Sequence, residues 1–189
     1  KPANWARHPL GDKLCANCLP AVNATQTPRC LRCGLKLGPK PQSFGWTHCR
    51  HCKNRPDLGT RQTVVCADYT QPFDDWVSML KYGKQWQLGQ LFGQWLAHEL
   101  SRCESRKPDV LIPVPCSTTK LKERGYNQAA VIASALSRAI GAPVHHQWLV
   151  KVSHSSAQAS LNKVERAYNL HDAFRMNRPI APELVIGLV

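Results

Sequence analysis

The chain has few acidic residues and no long apolar run, and each shortage excludes something. No segment approaches the ~20 consecutive apolar residues that span a bilayer, so a protein without a membrane span is expected. The apolar, small-residue architecture of a secretory leader is missing at the amino end, which opens on Lys1 rather than Met. A reducing, cytoplasmic setting is the simpler reading, and there paired cysteines are more often metal sites than disulfides. There is no Gly-x4-Gly-Lys loop, no Ser/His/Asp set and no carboxylate pair suited to glycoside chemistry, so hydrolase readings start low. Asp and Glu number 12 against 25 Lys and Arg, a balance that favours phosphates, nucleotides or nucleic acid as partners. Basic residues lie in both parts of the chain, so charge alone locates no binding face.

What the chain has in quantity is paired cysteine. Cys15/Cys18, Cys30/Cys33 and Cys49/Cys52 are three Cys-x-x-Cys pairs, and tetrahedral zinc takes two pairs per ion. The interval from Cys33 to Cys49 has zinc-ribbon spacing, and Gly34 suits the tight knuckle in which backbone N–H groups face sulfur. Cys30, Cys33, Cys49 and Cys52 are therefore the expected structural zinc site, with Cys15 and Cys18 as half of a second. A redox Cys-x-x-Cys would need a strand before it and a helix after it, whereas these pairs sit among Pro, Gly, Asn and basic residues. His48 and His51 could substitute as ligands, but with cysteine available they read as surface residues. Cys66, Cys103 and Cys116 read as small core residues.

The 189 residues accommodate one ordinary domain and one small metal-stapled piece, since roughly 55 residues bury too little apolar surface to stand comfortably alone. A ribbon over 1–60, punctuated by prolines, precedes an α/β domain over 62–189. Thr63-Val64-Val65-Cys66-Ala67 reads as a short buried strand. Pro72 then introduces a helix with Phe73, Trp76, Val77 and Leu80 on one face, and Gly83 ends it. A second helix carries Leu88, Leu91, Phe92, Trp95, Leu96 and Leu100. Val110-Leu111-Ile112 leads through Pro113-Val114-Pro115 and a polar, basic loop to an alanine-rich helix, Ala129 to Ile140, capped by Gly141. Strand, loop and helix make the unit of a parallel sheet. Gln147 to Val152 reads as another strand, Leu161–Leu170 as a moderately amphipathic helix. Leu184 to Val189 reads as an interior strand, and its position at the end, with the non-Met start, gives the expectation that residues 1–189 belong to a longer protein.

In open α/β sheets, ligands gather beyond the carboxyl ends of the strands. The segment Pro115 to Gln128 occupies that place, with Lys120, Lys122 and Arg124 as cations, hydroxyl donors, Gly125 for close backbone approach, and the start of a helix. A phosphate or pyrophosphate subsite is one reading; a solvated basic loop that caps a helix is the other. Gln158, Asn162, Arg166 and Asn169 form a second polar cluster, the last three near one helical face. Lys81 and Tyr82, at the end of the first helix, read as surface.

These motifs, taken in order, resemble the ComF family of competence-associated and GntX-type proteins. The resemblance is carried by the cysteine ribbon, Tyr69, Leu80-Lys81-Tyr82, Ile112-Pro113-Val114-Pro115, Lys122-x-Arg124-Gly125-Tyr126-Asn127-Gln128, and Gln158-x2-Leu161-x4-Arg166-x2-Asn169-x3-Ala173-Phe174. It covers nearly the whole chain. It implies a type I phosphoribosyltransferase-like parallel sheet flanked by helices, preceded by the ribbon. It also implies binding of phosphoribosyl pyrophosphate or a related nucleotide with magnesium, and a link to DNA uptake and utilisation and to nucleotide metabolism. Lys122, Arg124, Gly125, Tyr126, Asn127 and Gln128 would lie in the pyrophosphate or substrate region, with Gln158, Arg166 and Asn169 in the segment covering it.

The sequence departs from the family at three places. It stops before the acidic pair and Thr-Thr-Gly phosphate loop that follow the last strand, so residues 1–189 are not expected to catalyse alone. The Cys-x-x-Cys that usually precedes the first pair is absent, and Lys151 stands where Arg is more usual. Two functional readings follow. The first is a phosphoribosyltransferase; the second is a zinc-ribbon adaptor that binds single-stranded DNA or a competence helicase and performs no chemistry.

Overall fold

The computed structural model describes residues 10, 13–15, 18, 21–22, 27–39, 43–55, 59–103, 106–152 and 173–189. The chain divides into two compact units, Lys1–Trp76 with Trp95–Cys103, and Val77–Gln94 with Glu104–Val189. The division falls inside the two helices that follow residue 70.

In the first unit, Arg29 and Lys36 bridge in antiparallel fashion around the first knuckle. Cys49 is the N-cap of a short helix α1 (Arg50–Lys53) that carries Cys52. Cys30, Leu37 and Cys52 are the buried residues of this cluster, with Cys33 and Cys49 packed against them. The apolar run at Thr63 to Ala67 is not the strand expected from its β-branched residues. It is a non-ladder segment running beside the knuckle, where Thr63 donates its N–H to the Leu31 carbonyl (2.7 Å) and its hydroxyl to the Arg32 carbonyl (2.6 Å). Asp68 closes the segment by pairing with Arg29 and Lys36. Helix α2 (Phe73–Tyr82) begins in this unit, and α3 (Gln87–Ser101) ends in it. The Phe73 ring lies against Trp95, centroids 5.4 Å apart, and both are buried.

The second unit is built around β1 (Val110–Ile112), every residue of which is buried. The run ends where Pro113 and Pro115 remove backbone donors. Helix α4 (Thr118–Arg124) lies within the stretch expected to be a loop. The Ser117 hydroxyl accepts the Lys120 N–H at its start, and Gly125, at φ +81°, ends it in the left-handed conformation that glycine adopts without strain. Helix α5 (Gln128–Ile140) is the expected alanine-rich helix, capped by Asn127 and Gly141.

After α5 the chain returns alongside β1. Val144 bridges to Leu111 in parallel, with Leu111 N–H on the Pro143 carbonyl and His145 N–H on the Leu111 carbonyl. On the other side, β4 (Ile186–Leu188) pairs with β1 in parallel, Leu111 opposite Gly187. The small parallel sheet expected is present in β1 and β4, and β2 (Leu149–Lys151) and β3 (Phe174–Met176) form a separate antiparallel pair. Helix content predicted over Leu161–Leu170 lies outside the described residues.

Helices α3 and α5 touch through glycine. A Cβ at Gly93 would lie 2.5 Å from the Ala135 Cβ and 2.6 Å from the Ile132 carbonyl oxygen, and one at Gly89 would lie 2.8 Å from Val131. Small residues on both helices allow this approach. Gly93→Ala gains helix propensity of about 1 kcal/mol but overpacks against backbone that cannot yield, at about 1–3 kcal/mol. We expect a lower melting temperature for this variant, whereas Gly59→Ala, with nothing within 4 Å of the added carbon, should melt close to the parent.

Candidate functional site

The central cysteines form a metal-ready cluster. A tetrahedral ion with metal–sulfur bonds of ~2.3 Å separates its sulfurs by about 3.8 Å. The Cys33 and Cys49 sulfurs are 3.8 Å apart, and those of Cys30, Cys33, Cys49 and Cys52 all lie within 4.8 Å of one another. All nine cysteines are thiols rather than disulfides.

The backbone prepares this donor set. Gly34 sits at φ +73°, where its N–H reaches the Cys30 carbonyl (2.9 Å), and a Cβ there would strike Val65 Cγ2 at 2.5 Å. Burial raises the Cys30 thiol, but backbone N–H groups of Cys49, Cys33 and Arg32 outweigh it and lower the thiol to about 6. Burial pushes Cys52 up to about 12, and hydrogen bonds to the other three sulfurs add to this. Cys33 is also raised, by burial first. Four clustered thiols cannot all ionise without a cation between them, and a thiophilic divalent metal such as zinc, held by Cys30, Cys33, Cys49 and Cys52, would supply that charge.

Cys15 and Cys18 are not part of this cluster. They form their own turn, Cys18 N–H on the Cys15 carbonyl (3.1 Å), and the Cys15 side chain raises the Cys18 thiol. His48 and His51 also stand outside the four-sulfur set, and the His48 ring is hydrogen-bonded to Thr47 (2.9 Å). Cys66, Cys103 and Cys116 are half-buried rather than fully enclosed, although burial still pushes the Cys66 thiol up.

The basic segment after β1 is organised by its polar side chains. Asn127 donates its amide to the Val114 carbonyl (2.9 Å) and accepts the Ala129 N–H (3.1 Å), tying the end of β1 to the start of α5. Tyr126 donates its hydroxyl to the Leu80 carbonyl (2.6 Å) at the end of α2, a contact between positions 46 apart. Burial raises the Tyr126 phenol, with Arg124 opposing the shift.

Arg124 donates to the Gln128 side-chain oxygen (3.2 Å) and lies 5.1 Å from the Tyr82 ring centroid. The Gln128 amide nitrogen is buried with no hydrogen-bond partner among the described residues. Lys122 is exposed on α4, and Gly125 is the cap between α4 and Tyr126. The structure thus brings Arg124, Tyr126, Asn127 and Gln128 together at the end of β1. Gln158, Arg166 and Asn169 lie outside the described residues.

Among curated proteins, the chain is 27% identical to Competence protein F of Haemophilus influenzae over 174 residues, covering 89% of this chain and 72% of that protein. It is 28% identical to Competence protein ComFC of Bacillus subtilis over 160 residues, covering 82% of this chain and 62% of that protein. The chain is thus similar, over most of its length, to curated proteins named for competence. A third relative, DNA utilization protein YhgH of Escherichia coli K12, is 26% identical over 175 residues, covering 88% of this chain and 72% of that protein. No family model and no solved structure matches the chain. Among the described residues, no helix is long and apolar enough to cross a membrane.

Proposed function

We propose that this protein is a ComF-type, phosphoribosyltransferase-like protein serving DNA uptake or utilisation. In this reading it binds phosphoribosyl pyrophosphate or a related phosphorylated nucleotide, with magnesium, in the cytoplasm, and the cysteine ribbon carries structural zinc. The names of the three relatives support the DNA-linked role. The observation that carries the ligand class is the arrangement at the end of β1: a half-buried Arg124 beside a Gln128 amide nitrogen that is buried and has no hydrogen-bond partner among the described residues.

The contacts sort the expected ligands by task. Asn127 has both ends of its amide engaged in holding the backbone, and Tyr126 spends its proton on Leu80, so these two position the segment. Among the described residues, Arg124, the Gln128 amide, Lys122 and Lys120 are donors available to an anion. Chemistry at such a site rests on placing the ligand and stabilising charge on departing pyrophosphate, with no covalent nucleophile.

The test is phosphoribosyl pyrophosphate binding to the full-length protein by calorimetry, with and without magnesium. Arg124→Ala removes a charge-assisted contact and should weaken binding about 10- to 100-fold. A parent protein that gives no binding heat and no pyrophosphate release with any base or amine, while binding DNA in a salt-dependent way, would replace this reading with the non-catalytic adaptor.

A further inference from the structure

The ribbon carries a surface feature that its metal does not require. Phe44 and Trp46 are exposed, at 71% and 41%, and their rings stack on each other with centroids 5.8 Å apart at 27°. Lys53, from α1, places its ammonium 3.7 Å from the centre of the Trp46 ring. Arg50 is exposed three residues earlier on the same helix. These groups lie in a stretch of unusual charge: between Asp12 and Asp57 the sequence has eight Lys or Arg and no acidic residue.

A zinc ion held by four thiolates leaves about −2 at the centre, which does not cancel that excess. Stacked rings left in water lose apolar burial, so their exposure calls for a partner that covers them. A partner that suits rings and cations together has planar π-faces and a run of negative charge. Single-stranded nucleic acid has both. Duplex DNA hides its base faces and can use only the cations.

We propose that the Phe44–Trp46 ring pair, flanked by Lys53 and Arg50, is a stacking platform for single-stranded nucleic acid on the zinc ribbon. Phe44 presents a ring for a base, and Lys53, already held over Trp46, reaches for the neighbouring phosphate. The proposal does not rest on the transferase reading, because the platform lies wholly in the first unit.

The experiment uses the zinc-loaded full-length protein and fluorescence anisotropy with a labelled oligo(dT), an oligo(U) and a duplex. Phe44→Ala/Trp46→Ala should weaken oligo(dT) binding about 10- to 100-fold, and Phe44→Tyr/Trp46→Phe should restore it. Lys53→Glu should weaken it as well and flatten its salt dependence. Oligo(U) separates RNA from DNA as the source of the strand, and binding of either by the rings supports the platform. Zinc content measured on each variant keeps a folding defect from passing as a binding defect. Unchanged oligonucleotide affinity in the zinc-replete double alanine variant overturns the proposal. So does equal duplex binding that ignores the rings. Loss of binding to anionic phosphatidylglycerol vesicles in place of oligonucleotide would reassign the patch to a membrane surface. Phosphoribosyl pyrophosphate binding, measured on the same variants, should not move, which keeps this failure separate from failure of the ligand reading.

Discussion

Cys52→Ser should abolish metal binding at the four-sulfur centre and unfold the segment 27–55. The buried hydrophobic cluster of this segment is Cys30, Leu37 and Cys52, so two of its three members belong to the four-sulfur set, and ties to Thr63 and Asp68 supplement it. Burial of one leucine contributes only about 1.5–3 kcal/mol. Structural zinc in comparable small sites contributes about 10–16 kcal/mol at neutral pH, and there folding and metal binding are one event. The parent protein should carry one zinc at this centre, released by chelator together with new protease sensitivity in 27–55. Cys15→Ser is the discriminating control: because Cys15 lies outside the cluster, that variant should keep the central zinc and the protection. Retention of the ion in Cys52→Ser, or protection unchanged after its removal, would contradict the assignment.

That centre was legible in the sequence because its geometry is local: two Cys-x-x-Cys turns and one glycine set most of it. The capped helix α5 was legible for the same reason. Less so was anything defined by what a segment packs against. Thr63 to Ala67 is β-branched and apolar, and such a run looks identical whether its partner is a sheet or a cysteine knuckle; here Thr63 meets the carbonyls of Leu31 and Arg32. Helix α4 was missed although Ser117 and Gly125 are good boundary residues, because its seven residues are polar and carry no apolar stripe. The hydrogen bond from Tyr126 to Leu80 spans 46 positions and has no sequence signature. Phe44 and Trp46 are two ordinary aromatics until their rings are seen stacked in solvent.

The second large effect expected is at Trp95, where Trp95→Ala should cost about 3–5 kcal/mol. The side chain has no solvent exposure, and its ring meets Phe73, which in turn meets Trp76 edge-on with centroids 5.3 Å apart. Truncation removes the largest buried side chain among the described residues and leaves Phe73 facing a cavity that a helix-to-helix contact cannot close by itself. For a chain of this size the loss corresponds to a melting temperature lower by on the order of 10 °C. Trp95→Phe separates packing from polarity. It keeps an aromatic ring but deletes the indole N–H that donates to Glu99 (3.2 Å), whose other carboxylate oxygen pairs with Arg102 at 3.6 Å. Because that carboxylate retains a partner, Trp95→Phe should cost less than half of the alanine change. Trp86, 45% exposed, supplies the scale: Trp86→Ala should fall within about 0.5 kcal/mol of the parent, as surface substitutions do. Equal losses at Trp86 and Trp95 would mean that the packing around Phe73 is not what holds these helices in place.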